Sequence, residues 1–378
     1  MDKCGGKNKI LLIAFNDLGL GGIQNVIMNI VRNLSDVFLF DIVCRESNND
    51  IFEAEFKAFG GQIFRLGKNK NHNFILTKLG FYFNGKYIES RIKKIIGQNG
   101  PYLAIHCHKE NESGRALSAA KKCGIPIRIA HAHTAFDGRY NPIAKLYISH
   151  LRKLIYKNAT DMIACSEKAG EKLFGDHPYK VIYNTIDKRF FEQKRPTTVS
   201  HSAPRLLQVG TICDNKNQAF SVDVLKSLKE FYPEATLTFI GAPKDGRMRA
   251  YFDDLIDKSE DLGIYNDISF LPSDSDVLKE LNKSDYLIFP SKFEGLGIVP
   301  IEAQSQGMKC FVSRSVSDEV DCGGCVFLDL NAGSDVWAKR IADRFALDHG
   351  ERKEYDLSRF MPDVIMEQYR KIYEGENN

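Results

Sequence analysis

PSKFEGLGIVPIEAQSQGMKC, Pro290 to Cys310, is the stretch on which the reading of this chain turns. The apolar run Tyr286-Leu287-Ile288-Phe289 directly before it predicts a buried strand ending at Pro290. Glu294 then opens a loop and is followed by Gly295, Leu296 and Gly297. Two glycines so close together let a backbone approach a ligand and leave amide groups free to point at it. Val299–Gln306 predicts a helix, with Pro300 in its first turn and Gly307 as its C-cap. A helix N-terminus beside free amides is an anion site. Glu294 falls on the loop and Glu302 on the helix, so two carboxylates can meet opposite ends of one ligand.

Outward from this segment, apolar strands alternate with amphipathic helices, the pattern of a parallel α/β sheet. Lys9–Phe15 predicts the first strand, Asn16–Gly22 a glycine-rich turn and Ile23–Leu34 a helix. A glycine turn between strand and helix offers amides to a diphosphate, although the spacing is not GxGxxG and a nicotinamide fingerprint is absent. His131-Ala132-His133-Thr134 follows the predicted strand Ile127–Ala130, at the end of a strand where ligands collect in open sheets. His-x-His there, like His106-Cys107-His108, invites a metal reading, but no carboxylate nearby completes a ligand set. The polar, unpatterned stretch 192–204 reads as an interdomain linker. Arg205–Val209 opens a second α/β series, and Gly210 to Gln218 forms the loop after its first strand. Asp274-Ser275-Asp276 precedes an apolar helical run and is expected to cap it. Cys322 and Cys325 form an isolated CxxC, too little for a zinc or redox site.

With 378 residues the chain is too long for one core and suits two domains. Its 43% hydrophobic content and net charge of +3 fit a globular protein without a membrane span. The run Ile10–Phe15 is too short for a signal peptide. Nine scattered cysteines suggest a reducing compartment, so a cytoplasmic location is expected. Residues 71–160 hold 15 Lys and Arg against 4 Asp and Glu, which makes the rest of the chain acidic. Basic residues interleaved with apolar ones over 74–96 and 145–157 suit an anionic membrane surface. RNA binding lacks a recognisable motif or aromatic platform, so no nucleic-acid partner is expected.

The frame P-S-x-x-E-G-x-G with seven residues between Glu294 and Glu302 resembles the donor-sugar motif of retaining glycosyltransferases of family 4, which have the GT-B fold. The capsule and exopolysaccharide transferases of bacteria are the most similar. The resemblance implies an α/β protein of two Rossmann-like parallel-sheet domains facing each other across a cleft. It implies an N-terminal domain of 1–190 with about 360–378, and a donor-binding domain of 191–359. The last helix, Pro362–Tyr373, would cross back to the first domain. By the same resemblance Glu294 holds hydroxyls of the transferred sugar, the Gly295-Leu296-Gly297 backbone touches the donor, and Glu302 holds the ribose hydroxyls. Lys216 takes the place of the phosphate-binding lysine, while Thr211 stands where the family pattern has an arginine. Gly21, Gly22 and Gln24 match the family's first glycine loop, which faces the donor phosphates. His133, followed by Thr134, matches the histidine beside the sugar and the leaving phosphate, and His131 is the second choice. Tyr183-Asn184-Thr185-Ile186-Asp187 is similar to the family's turn at the domain edge, with Thr185 where glycine is usual. The implied activity is retaining transfer from a nucleotide sugar, UDP-linked above all, to a glycan acceptor that can be lipid-diphosphate-linked, at the inner membrane face. It implies no cofactor and no metal. Two alternatives remain at this point: a nucleotide-sugar epimerase of the same fold, and a non-catalytic GT-B partner subunit.

Overall fold

A computed structural model of the chain describes residues 6–14, 18–19, 21–45, 50–66, 77–135, 141–192, 201–243 and 249–376, with the side chains of Arg45 and of 77–84 left out. It divides into two compact units, residues 1–185 with 360–378, and residues 186–359. The first division falls between Thr185 and Ile186, ahead of the polar stretch whose residues 193–200 lie outside the described ones.

The first unit holds seven strands: β1 (Asn8–Ile13), β2 (Phe38–Arg45), β3 (Ile63–Leu66), β4 (Ala104–Cys107), β5 (Ile127–Ala132), β6 (Asp161–Ala164) and β7 (Lys180–Val181). They lie in the order β3-β2-β1-β4-β5-β6-β7, and every pairing is parallel. A parallel sheet covered by helices buries both faces of its central strands. Ile10, Leu11, Leu12 and Ile13 of β1 are accordingly fully buried, which is why that stretch is continuously apolar instead of alternating. The core continues from β1 and β2 into the helices Gly22–Leu34 and Pro362–Glu374. The C-terminal helix is thus part of the first unit. Its Tyr373 hydroxyl hydrogen-bonds His106 Nδ1 of β4 at 2.7 Å.

The second unit has six strands: β8 (Arg205–Val209), β9 (Thr236–Ala242), β10 (Ile268–Pro272), β11 (Tyr286–Phe289), β12 (Lys309–Ser313) and β13 (Cys325–Leu328). Their order is β10-β9-β8-β11-β12-β13, again all parallel. Trp337 and Phe345 of the helix Ser334–Asp348 are buried against this sheet's core. Each sheet reverses its winding once, between β1 and β4 in the first and between β8 and β11 in the second. Beyond the carboxyl ends of such a strand pair, open α/β sheets leave a crevice for ligands.

Candidate active site

The second unit's crevice is built by two loops that leave neighbouring strands. Leu206 and Leu207 of β8 are in register with Tyr286 and Leu287 of β11, so the loops at 211–217 and 290–297 emerge side by side. Asn215 stitches them together. Its carbonyl accepts from the Lys292 amide at 2.9 Å, its side-chain oxygen from the Phe293 amide at 3.2 Å, and its Nδ2 donates to the Phe293 carbonyl at 3.0 Å. Asn217, left-handed at φ 57°, starts the next helix and donates to the Pro290 carbonyl at 3.3 Å.

This stitching brings Lys216 onto Glu294, 78 residues further along the chain, with Nζ 2.6 Å from Oε1. The ammonium also lies 5.2 Å from the centre of the Phe289 ring, within cation–π range. Both side chains keep a little solvent access, 22% and 13%, so the pair is reachable from outside. Thr211 is exposed at the crevice rim, and its carbonyl accepts from Gln218 Nε2 at 3.1 Å.

The helix that follows runs Ile298–Ser305, one residue earlier than the sequence predicts. Gly297 is its N-cap at φ 85°, a conformation costly for any residue with a Cβ. A Cβ there would also sit 3.3 Å from the Phe289 ring. Leu296 is buried beneath the turn. Gly307 follows the helix at φ 64°. Glu302, on the second turn, has a carboxyl enclosed by protein although the residue keeps some surface. Desolvation pushes that carboxyl up to about 7; Asp187 adds to the rise and Arg189 opposes it. Glu302 is therefore part ionised and part protonated at neutral pH.

In the first unit the glycine loop is described only in part, since 15–17 and 20 lie outside the described residues. Gly21 caps the helix Gly22–Leu34 with extended backbone, and a Cβ at Gly21 would collide with the Gln24 side chain. A Cβ at Gly22 would meet nothing within 4 Å.

The strand β5 runs two residues past the predicted end, and this separates the two histidines. His131 lies inside the strand and is fully buried, while His133 lies just beyond it and is half-buried. With His106 and His108 they form two hydrogen-bonded pairs, His106 Nε2 to His131 Nδ1 at 3.1 Å and His108 Nδ1 to His133 Nε2 at 2.9 Å. The pairs lie against each other with tilted rings, His106 over His108 at 3.9 Å and His131 over His133 at 3.8 Å between centroids. Donor atoms of His106, His108 and His131 lie within 4.8 Å of one another, close enough to raise a metal site. His106 Nδ1 is taken by the Tyr373 hydroxyl, whereas His108 Nε2 and His131 Nε2 are buried without a hydrogen-bond partner. Burial holds all four imidazoles below their ordinary value, His133 at about 3, so they are neutral at pH 7.

Sequence reasoning missed Glu110, which lies against this cluster and whose Oε1 accepts from the His133 amide at 3.0 Å. It also missed the stitching by Asn215 and Asn217, which depends on strand neighbours. Asp276 behaves as expected and caps the helix Val277–Lys283 by accepting from the Leu278 and Lys279 amides. Among the described residues every cysteine is free.

Comparison with known proteins bears on the family and the fold. Residues 190–318 match the family model "Glycosyl transferases group 1" and residues 20–190 match "Glycosyltransferase Family 4". The chain is 27% identical over 362 residues to the putative glycosyltransferase EpsF of Bacillus subtilis, covering 91% of this chain and 90% of the relative. It is 25% identical to the capsular polysaccharide biosynthesis glycosyltransferase CapH of Staphylococcus aureus, over 80% of this chain and 79% of that one. An Escherichia coli UDP-Gal:alpha-D-GlcNAc-diphosphoundecaprenol alpha-1,3-galactosyltransferase is 24% identical over 78% of this chain and 76% of its own length. Among solved structures, Anabaena Alr3699/HepE in complex with UDP-glucose superposes with a TM-score of 0.76 at 16% identity, covering 97% and 99% of the two chains. Two family models that adjoin at residue 190 and together span residues 20–318, with full-length similarity to enzymes of this kind, make the chain a member of the GT-B glycosyltransferases of family 4.

Proposed function

We propose that the protein transfers a sugar from a UDP-linked donor to a lipid-diphosphate-linked glycan, with retention of anomeric configuration, in the synthesis of a cell-surface polysaccharide. The observation that carries this reading is the Lys216–Glu294 ion pair at the second sheet's switch point. Without a ligand, each group neutralises the other. A nucleotide sugar offers each a better partner at once: diphosphate for the ammonium, sugar hydroxyls for the carboxylate. As the anomeric bond breaks, negative charge grows on the diphosphate, and Lys216 with the amides at Gly295-Leu296-Gly297 is aimed at it. Glu302 then takes the ribose hydroxyls. In the first unit, Gly21 and Gly22 offer amides to phosphate, and His133 serves beside the sugar and the leaving group. With a lysine and a helix N-terminus meeting the charge, the transfer is proposed to need no metal.

The acceptor class draws on the Escherichia coli relative, whose name specifies a diphosphoundecaprenol acceptor. It also draws on the helix Pro142–Asn158. Its first turns expose Ile143 (53%) and Leu146 (74%) next to the exposed Lys145, while Leu151 and Ile155 are buried behind them. No helix among the described residues is long and apolar enough to cross a membrane, so this face would dock on the surface of an anionic leaflet, the inner one. Part of the basic block is matched by an acidic partner within the unit instead. Glu89 is paired with Lys93 at 3.3 Å, Lys122 at 2.6 Å and Arg115 at 3.8 Å. The deciding measurement is release of free nucleotide across a panel of nucleotide sugars, with and without membrane lipid extract. Release that depends on the extract and survives a chelator is expected. No release from any donor would end the proposal, and a new free sugar formed without extract would turn it into an epimerase.

A further inference from the structure

The first unit has its own switch point, between β1 and β4, and nothing in the donor reading uses the β4 side of it. There the chain leaves β4 as His108-Lys109-Glu110-Asn111-Glu112. Glu110 has φ 40°, one of three non-glycine residues with positive φ among the described residues. A side chain with a Cβ holds that backbone only under strain, and such strain gathers at functional sites. What the strain achieves here is visible. It turns the carboxylate toward the exit of β5, where Oε1 accepts from the His133 amide at 3.0 Å and the group also takes the Thr134 amide.

Three further features mark the turn as a place for a ligand. Burial drives the Glu110 carboxyl up to about 7 against the pull of those two amides, Lys109 and Arg152, yet the residue is only half-buried. The group is thus largely dehydrated but still reachable. In the same turn Glu112 Oε2 and His108 Nε2 are buried without a hydrogen-bond partner, and buried polar atoms normally have one. Arg152 fixes the far side by donating to Asn111 Oδ1 at 2.9 Å. A carboxylate acceptor disfavours a phosphate and suits neutral hydroxyl donors.

We infer that Glu110 is an acceptor-binding residue, its carboxylate taking a hydrogen bond from a hydroxyl of the glycan that receives the transferred sugar. This rests on the transferase reading above and adds to it a contact on the acceptor side.

The test uses the full chain with Glu110→Gln, which still offers an oxygen to the two amides, and Glu110→Asp. The donor is the UDP-sugar that wild type turns over fastest, and the acceptor probe is total membrane lipid extract. Glu110→Gln is expected to lower kcat/KM for the extract about ten- to a hundredfold, the weight of one hydrogen bond to a charged group. The Kd for UDP and the KM for the donor should stay within twofold, and Glu110→Asp should recover part of the loss. Unchanged kcat/KM for the extract would overturn the inference. So would a parallel loss of UDP affinity and melting temperature, which is what a purely structural strut would give. Wild-type protein that fails to bind UDP at all, read by calorimetry before any extract is added, would overturn the transferase reading and this inference with it.

Discussion

Lys216 and Glu294 are each ordinary alone, and their contact at 2.6 Å gives them meaning. Removing one leaves the other partly buried and unmatched, and removes a charge-assisted contact to the donor. Lys216→Ala is expected to lower kcat/KM for the donor about a hundred- to a thousandfold, the usual loss on removing one group that stabilises developing charge, and Glu294→Gln somewhat less. Steady-state rates with a proven donor check this; full rates in both variants would remove the pair from the site. Glu302 makes a different prediction, because its carboxyl titrates at about 7. The ionised form has both oxygens free to accept from the ribose hydroxyls, whereas protonation turns one of them into a donor. Donor affinity should therefore rise as pH goes from 6 to 8, as the proton leaves. UDP titrations across that range should show a steeper rise in wild type than in Glu302→Gln, where only the terminal phosphate of UDP titrates.

At the scale of elements, the helix Ile298–Ser305 depends on its first residue's neighbour. Gly297 sits at φ 85° with Phe289 close by, so Gly297→Ala strains the turn and tilts the amides. A cost of about 1–3 kcal/mol in stability is expected, together with weaker UDP binding. Thermal melts and titrations report the two separately, and an unchanged Kd would exclude these amides from donor contact. The stack of four histidines on β4 and β5 carries a pH signature of its own. Their folded-state values lie below the ordinary value of about 6.5, so the unfolded chain binds more protons than the folded one below that pH. Stability is complete above pH 6.5 and falls on acidification toward pH 3, by up to about 1.4 kcal/mol per pH unit for each histidine that must charge. Urea unfolding at pH 7 and pH 5 measures it. A midpoint that does not move would mean the cluster takes up protons without unfolding.

At the scale of the whole molecule, two parallel sheets repeat one plan, each reversing its winding once. The exposed Ile143 and Leu146 beside Lys145 belong to this scale, because their role depends on what the surface meets. Flotation with liposomes containing anionic lipid is expected to carry the protein up. Exchanging Ile143 and Leu146 for serine should abolish that without changing the melting temperature. Flotation indifferent to lipid charge would sink the docking proposal.

The apolar runs at Ile10–Ile13 and Tyr286–Phe289 are continuous because both faces of a central parallel strand are covered, so the fold could be read directly from the chain. Glu294, Gly297 and Glu302 were legible too, because strand, turn and helix follow one another locally and fix their spacing. The partner of Glu294 was not, since Lys216 reaches it only through the pairing of β8 with β11. The two histidines of β5 could not be told apart until the strand's true end placed one in the core and one at the rim. Glu110 left no trace at all: no composition or period encodes a single left-handed backbone angle, and only the packing of β4 against β5 gives that angle a purpose. Local order along the chain is what sequence determines; which distant groups share a crevice is decided by strand order in the folded sheet.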